Sequence, residues 1–306
     1  MEAEFKHYTV MLNEAVNALE PKDGLIYIDG TLGGGGHSEL IAQKILPNGK
    51  LISFDIDEVA ISVAKKHLEA YKNVTIVKKG YQDFEEVLSD LGIKKITGGI
   101  LLDLGASYYQ LTSKTRGFSF SSDAKLDMRF DKSSEFSAYE LINNYSEEEL
   151  ADVFYYYGEE RYSRRLARNI VNQRKNKKIE TTSELCEIIK KSLPYKNSRT
   201  NPATRIFQAI RIEVNGELKN IENTLKKVVS FLEKDARIVV ITFHSLEDRI
   251  VKRIFKEFST TKNLETGGCE EKILELVNKK PILPSEAEIK ENPPSRSAKL
   301  RIAKKI

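Results

Sequence analysis

Leu25-Ile26-Tyr27-Ile28-Asp29-Gly30-Thr31-Leu32-Gly33-Gly34-Gly35-Gly36-His37-Ser38 is the stretch that decides how this chain folds. An apolar, β-prone run ends in an acid, and five glycines follow within seven positions. Helix-forming residues begin directly afterwards, at Glu39. Strand, glycine turn and helix N-terminus, in that order, form the usual seat of a nucleotide-type cofactor. Glycine serves there because it reaches positive φ and lets the backbone approach a ligand with no Cβ between them.

The spacing separates one cofactor from another. Gly33-x-Gly35-x-x-Ser38 approaches the dinucleotide fingerprint but has Ser in the third place. Asp55 closes the next apolar run, near the point roughly 20 residues on where an acid holds ribose hydroxyls. The acid at Asp29 suits a ligand with a cationic or amino end and would repel a pyrophosphate. S-adenosylmethionine has such an end. A nicotinamide-dependent oxidoreductase is the rival enzyme reading, and saturable NADH binding without S-adenosylmethionine binding would favour it.

Outward from this stretch the pattern alternates. Strands are predicted over 25–29, 50–55, 74–77 and 99–104, and helices over 38–46, 58–71 and 83–91. Such alternation means a parallel sheet covered on both faces. The β pattern stops between Thr112 and Thr200, where Ser146-x-x-Glu149 and Thr181-x-x-Glu184 read as capping boxes opening helices. It resumes with a long helix over 202–232, a strand over 237–243 and a helix over 246–258, with Ser245 as N-cap and Asp248 at N3. Residues 262–292 read as polar and irregular, and 298–303 as a final edge strand. The expected fold is α/β, a Rossmann-like sheet with an inserted all-α domain. Residues 1–111 and 201–306 would form the cofactor-binding domain, and 112–200 an inserted helical domain.

Composition narrows the class. Of 306 residues, 40% are hydrophobic, enough for a core, and 31% are charged, as expected of a soluble protein. No apolar run approaches the ~18 residues of a membrane span, and the N-terminus lacks a signal-peptide layout. Two cysteines far apart in sequence argue for a reducing, cytoplasmic setting with neither a disulfide framework nor a zinc cluster. The formal charge of +4 permits nucleic-acid binding without requiring it.

Three further sites carry chemistry. Asp103, Ser107, Tyr108 and Gln110 follow the fourth strand, on the side of the sheet where ligands bind. An acid and the tyrosines Tyr108 and Tyr109 there suit a planar, amino-bearing substrate. His244, after the strand over 237–243, is a candidate proton acceptor or orienting hydrogen-bonder. Arg161, Arg164, Arg165, Arg168, Arg174, Lys175, Lys177 and Lys178 form a basic run with no intervening acid. Arg161, Arg165 and Arg168 are expected on one helical face, which suits a phosphate backbone, and the aromatic run 154–157 lies nearby. Arg199, Arg205 and Arg211 make a second basic strip, and the tail residues Arg296, Lys299, Arg301, Lys304 and Lys305 a third.

Taken together, these stretches resemble the bacterial 16S ribosomal RNA (cytosine-N4)-methyltransferase family, the MraW/RsmH type. The matching segments are 7–12, 27–38, 101–110, 116–120, 126–129, 157–161, 202–214, 243–252 and 292–302, in order along the chain. The resemblance implies an S-adenosylmethionine-dependent enzyme that methylates one decoding-site cytosine of the small ribosomal subunit. It implies that Gly35, Gly36 and His37 line the cofactor, that Asp55 holds its ribose, and that Tyr81, Asp103 and Gln110 complete the pocket; Asp29 and Gly33 join them from the glycine-loop reading. Arg161, Arg164, Arg165, Arg168, Arg205 and Arg211 are the expected RNA contacts. Ser107-Tyr108-Tyr109-Gln110 stands where relatives usually read Ser-Ser-Pro-Gln, and Asn201 where they have His. No metal ligand set is present, and the base must leave its stack to react. A non-catalytic RNA-binding or ribosome-assembly protein is the reading from another class. Monomer and homodimer both remain open.

Overall fold

The computed structural model describes residues 9–194, 201–263 and 269–306. His7, Tyr8 and Arg199 lie outside that set. The chain divides into two compact units, one holding His7–Gly105 and Leu218–Ile306, the other Ala106–Glu217. The helical unit therefore reaches beyond 112–200 at both ends.

The first unit opens with α1 (Leu12–Leu19), β1 (Ile26–Asp29), α2 (Gly36–Lys44), β2 (Lys50–Asp55), α3 (Glu58–His67), β3 (Val74–Lys78), α4 (Phe84–Asp90) and β4 (Gly99–Asp103). The helical unit follows with α5 (Tyr108–Thr112), α6 (Ala138–Asn144), α7 (Glu147–Tyr156), α8 (Ser163–Asn176), α9 (Thr182–Ser192) and α10 (Ala203–Asn215). The chain then runs through α11 (Glu217–Phe231), β5 (Arg237–Thr242), α12 (Ser245–Phe258), the short β6 (Lys262–Asn263) and β7 (Cys269–Glu270), β8 (Leu274–Leu276), α13 (Glu286–Glu291) and β9 (Lys299–Lys305).

Seven strands form one sheet in the order β3-β2-β1-β4-β5-β9-β8. The pairs among β3, β2, β1, β4 and β5 are parallel, and β9 runs antiparallel to both β5 and β8. Successive residues of each central strand supply opposite faces, as the period of two requires. Tyr27, Leu51, Leu101 and Val239 pack with α1 and α2, while Ile28, Ile52, Leu102 and Val240 pack with α4, α11 and α12. The strand order reverses between β1 and β4, which places their carboxyl ends at the crevice where ligands bind in open α/β sheets.

Three expectations need correction. The helix expected over 202–232 is two helices, because Gly216 at φ 59° ends α10 in the left-handed region. The closing strand is not an edge: β8 pairs with it through Leu274–Lys305, Glu275–Lys304 and Leu276–Ala303. The polar stretch 262–292 holds β8 and α13.

Candidate functional site

The glycine stretch folds as its residues dictate. Gly35 takes φ 92° as N-cap of α2, a conformation unfavourable for residues bearing a Cβ. A Cβ on Gly36 would lie 2.1 Å from Thr9 Oγ1, so only glycine lets α2 start there. Gly33 N donates to Asp55 Oδ2 at 2.8 Å, and Asp57 N donates to Asp55 Oδ1 at 2.9 Å. The Asp55 carboxylate thus ties the loop to the end of β2. Burial pushes its pKa up to about 6, against the pull of these amides, which favour the charged form.

Asp29 sits beneath the loop and is fully buried. Its Oδ1 accepts from Thr31 N at 3.1 Å and its Oδ2 from Ser38 Oγ at 2.6 Å; Ser38 Oγ lies 2.7 Å from Ser53 Oγ. Burial raises the carboxyl pKa, and the Ser38 and Thr31 bonds oppose that rise. The sequence placed this acid facing the ligand. The structure shows it holding the turn and the first helical residues together.

Asp103 ends β4, next to β1. Its backbone N donates to Thr31 Oγ1 at 2.6 Å, fixing the strand end against the loop. His37 Nδ1 lies 3.9 Å from Asp103 Oδ2, with His37 buried. Asp103 Oδ1 is buried and, among the described residues, has no hydrogen-bond partner. Burial, reinforced by the negative charges of Asp29, Glu247 and Glu288, holds this carboxyl well above the usual carboxylate range. A buried acid of that kind gains most from a cationic or hydrogen-donating ligand. Tyr81 is half-buried beside the core cluster, its Cβ 3.0 Å from where a Gly30 Cβ would stand.

His244 differs from its expected setting. It is itself the N-cap of α12, with Glu247 rather than Asp248 at N3. Glu247 N donates to His244 Nδ1 at 3.4 Å, and His244 Nε2 lies 3.0 Å from Glu247 Oε1. Of these two contacts only the one at Nδ1 is a hydrogen bond to the ring, since Nε2 and Oε1 do not meet hydrogen-bond geometry; the other oxygen of Glu247 accepts from Phe243 N at 2.7 Å and His244 N at 3.2 Å. The imidazole organises the start of α12.

In the helical unit, Ser107 and Gln110 form a reciprocal cap of α5. Gln110 N donates to Ser107 Oγ at 3.2 Å, and Ser107 N donates to Gln110 Oε1 at 2.9 Å. Tyr108 is exposed. The basic run separates into distinct roles. Arg164, Arg165 and Arg168 are exposed on α8, and Arg168 Nε lies 3.3 Å from Glu147 Oε1. Arg161 precedes α8 and covers the Tyr162 ring at 4.8 Å, so it does not share the helical face of Arg165 and Arg168. Arg174 donates to the carbonyls of Ile142 and Tyr145, closing the end of α6. Arg205 is exposed. Arg211 is turned inward, donating to both Glu217 oxygens at 2.8 and 3.0 Å with little exposure; this corrects its expected place on an RNA-facing surface.

The sequence reading passed over Thr31, Ser38 as a partner of Asp29, and Glu247. Thr31 had a signal: a hydroxyl two residues after a strand-end acid can bridge to the next strand. Glu247 had none apart from its N3 spacing after His244. Among the described residues, no group of three or more His, Cys, Asp and Glu could hold a metal ion. No helix of the described residues is long and apolar enough to cross a membrane.

Comparison with known proteins adds to this geometry. The family model of the MraW methylase family matches residues 4–306. The ribosomal RNA small subunit methyltransferase H of Clostridium botulinum (strain Loch Maree / Type A3) is 48% identical over 99% of this chain and 100% of that protein. The protein of the same name from Brevibacillus brevis is 46% identical over 99% of this chain and 98% of its own length. A solved rRNA methylase from Streptococcus thermophilus aligns over 99% of both chains at 10% identity and a TM-score of 0.45, too remote to bear on the reading.

Proposed function

Because the chain belongs to the MraW methylase family, we propose that it transfers a methyl group from S-adenosylmethionine to N4 of a specific cytosine in the decoding region of 16S ribosomal RNA. Full-length relatives named as small-subunit ribosomal RNA methyltransferases support the substrate class. The observation that carries the chemistry is Asp103 Oδ1, buried at the β1/β4 switch point with no hydrogen-bond partner among the described residues. In this reading the sheet unit binds the cofactor, the helical unit recognises RNA, and the partner is the small ribosomal subunit in the cytoplasm.

The residues present fit the cofactor. Asp55 offers a carboxylate, already oriented by two amides, to a ribose diol. Gly35 and Gly36 leave the loop without side chains at the start of α2, and Tyr81 supplies an aromatic surface. His37 and Asp103, 3.9 Å apart, would offer a polar pair to the positively charged end of the ligand. The bound cofactor supplies an activated methyl group on a sulfonium. The protein's task is then positional. The exocyclic amine of cytosine is a weak nucleophile because its lone pair is delocalised into the ring. Asp103, ionised when a cation lies beside it, accepts a hydrogen bond from that amine. The bond localises the lone pair, and the charge offsets positive charge growing on nitrogen as the C–S bond breaks; the amine proton made surplus by the new N–C bond then passes to the Asp103 carboxylate and on to solvent.

The test is incubation with S-adenosylmethionine and small subunits from a strain lacking the modification, followed by mass spectrometry of RNA fragments. One added methyl on a decoding-region cytosine is expected. A methyl on another base, or none, overturns the reading.

A further inference from the structure

Helix α12 of the sheet unit carries a feature that the cofactor site does not use. Its apolar side chains Leu246, Val251, Ile254 and Phe255 are buried. Its opposite side presents Arg249, Lys252, Arg253 and Lys256, all exposed. These lie at i, i+3, i+4 and i+7, a single helical stripe. With Glu257 and Thr260 they line an open hollow of about 580 Å³. We propose that this stripe is a docking surface for the phosphate backbone of the RNA substrate, a contact separate from the arginines of α8. The proposal rests on the ribosomal RNA reading and deepens it.

Folding needs do not account for Lys252 and Lys256. Arg249–Arg253 and Lys252–Lys256 are like-charge pairs four apart, which weaken a helix. The carboxylate four residues before Lys252 is Asp248, and it is taken by Arg301 at 2.6 Å and Lys299 at 3.2 Å. Arg253 reaches Glu222 on α11 at 2.7 Å, but Glu222 is shared with Lys226 at 2.6 Å. Among the described residues, Lys252 and Lys256 make no ion pair. The helix dipole favours Lys256 in the last turn but gives no reason for Lys252. An external polyanion supplies a partner for these two lysines. A membrane surface fits poorly, because an interfacial helix turns its apolar side outward, whereas that side of α12 is packed into the sheet core.

The test compares the full-length protein with two double variants, Lys252→Glu with Lys256→Glu, and Lys252→Arg with Lys256→Arg. Fluorescence anisotropy follows binding of a labelled single-stranded oligouridylate across a salt series. The charge-reversed variant should bind roughly tenfold more weakly, with the slope of log affinity against log salt shallower by at least about one unit. The arginine variant should bind as the wild type does. Calorimetric affinity for S-adenosylmethionine and the thermal midpoint should not fall, and on small subunits KM should rise while kcat holds. Unchanged RNA affinity and slope in the charge-reversed variant would overturn the proposal. So would an equal loss in the arginine variant, or stripe-dependent binding to phosphatidylglycerol vesicles with none to RNA. If the wild type leaves ribosomal RNA unmethylated while the variants still differ in RNA binding, the proposed function fails and the stripe stands.

Discussion

At the strand ends of the sheet unit, Asp29 is fully buried and held by hydroxyl and amide donors, Asp55 is half-buried and held by two amides, and Asp103 is half-buried with the His37 imidazole 3.9 Å away. Arg164, Arg165 and Arg168, on α8 of the helical unit, stand in solvent. The contrast sets how much one residue can matter. An enclosed charge acts through a low effective dielectric, so its removal is felt strongly. An exposed cation is screened over a Debye length of about 8 Å at physiological salt and contributes as one of several. Under the proposed function, the strand-end acids would recognise a small ligand through few strong contacts, and the exposed arginines of α8 would hold a polyanion through several weak ones.

The sharpest break of this comparison is Asp103→Asn. It removes the carboxyl that a cationic ligand would ionise, and should lower S-adenosylmethionine affinity by about 100-fold or more and reduce methyl transfer to background. Calorimetry and a radiolabelled methyl assay check both, and retained turnover would refute the assigned role. Next is Arg211→Ala, which tests whether the enclosed arginine belongs with the strand-end acids rather than with α8. Stranding Glu217 without its partner should cost about 3 kcal/mol in urea unfolding, and the loss should not depend on RNA.

A pH series sharpens the first half of the contrast. The folded Asp55 carboxyl holds its proton up to about pH 6, above its unfolded value. Its contribution to folding is therefore fully present at low pH and is lost as pH rises through 6. Ribose hydroxyls favour the charged form, so cofactor affinity should climb up to tenfold per unit below pH 6 and flatten above it. Asp55→Asn should remove the Asp55 part of that dependence. The smallest effects belong to Arg164→Glu and Arg165→Glu. Each should weaken RNA binding several-fold and shift the salt slope by about 0.7, leaving cofactor affinity unchanged. A hundredfold loss from either would erase the distinction between the two units.

Much of this was legible in sequence because the signals are local. The apolar runs ending at Asp29, Asp55 and Asp103 marked three strands and their carboxyl ends, which the sheet order β2-β1-β4 then makes neighbours. Ser146 with Glu149, and Thr181 with Glu184, form the capping boxes their spacing requires. The arginines were less legible, since a basic run reads alike whether a guanidinium meets solvent, the Tyr162 ring, the carbonyls closing α6 or a carboxylate.

By itself, then, the sequence determined the alternating α/β core, the all-helical segment and the glycine turn before α2, because periodicity and glycine act over a few residues. Only the tertiary structure decided that Asp29 binds Ser38 and Thr31 under the loop, that His244 caps α12, that Arg211 closes on Glu217, and that β8 covers β9. A buried polar atom must find a partner, and several are in reach until the chain has folded. Which one it takes is set by the packing of elements far apart in sequence.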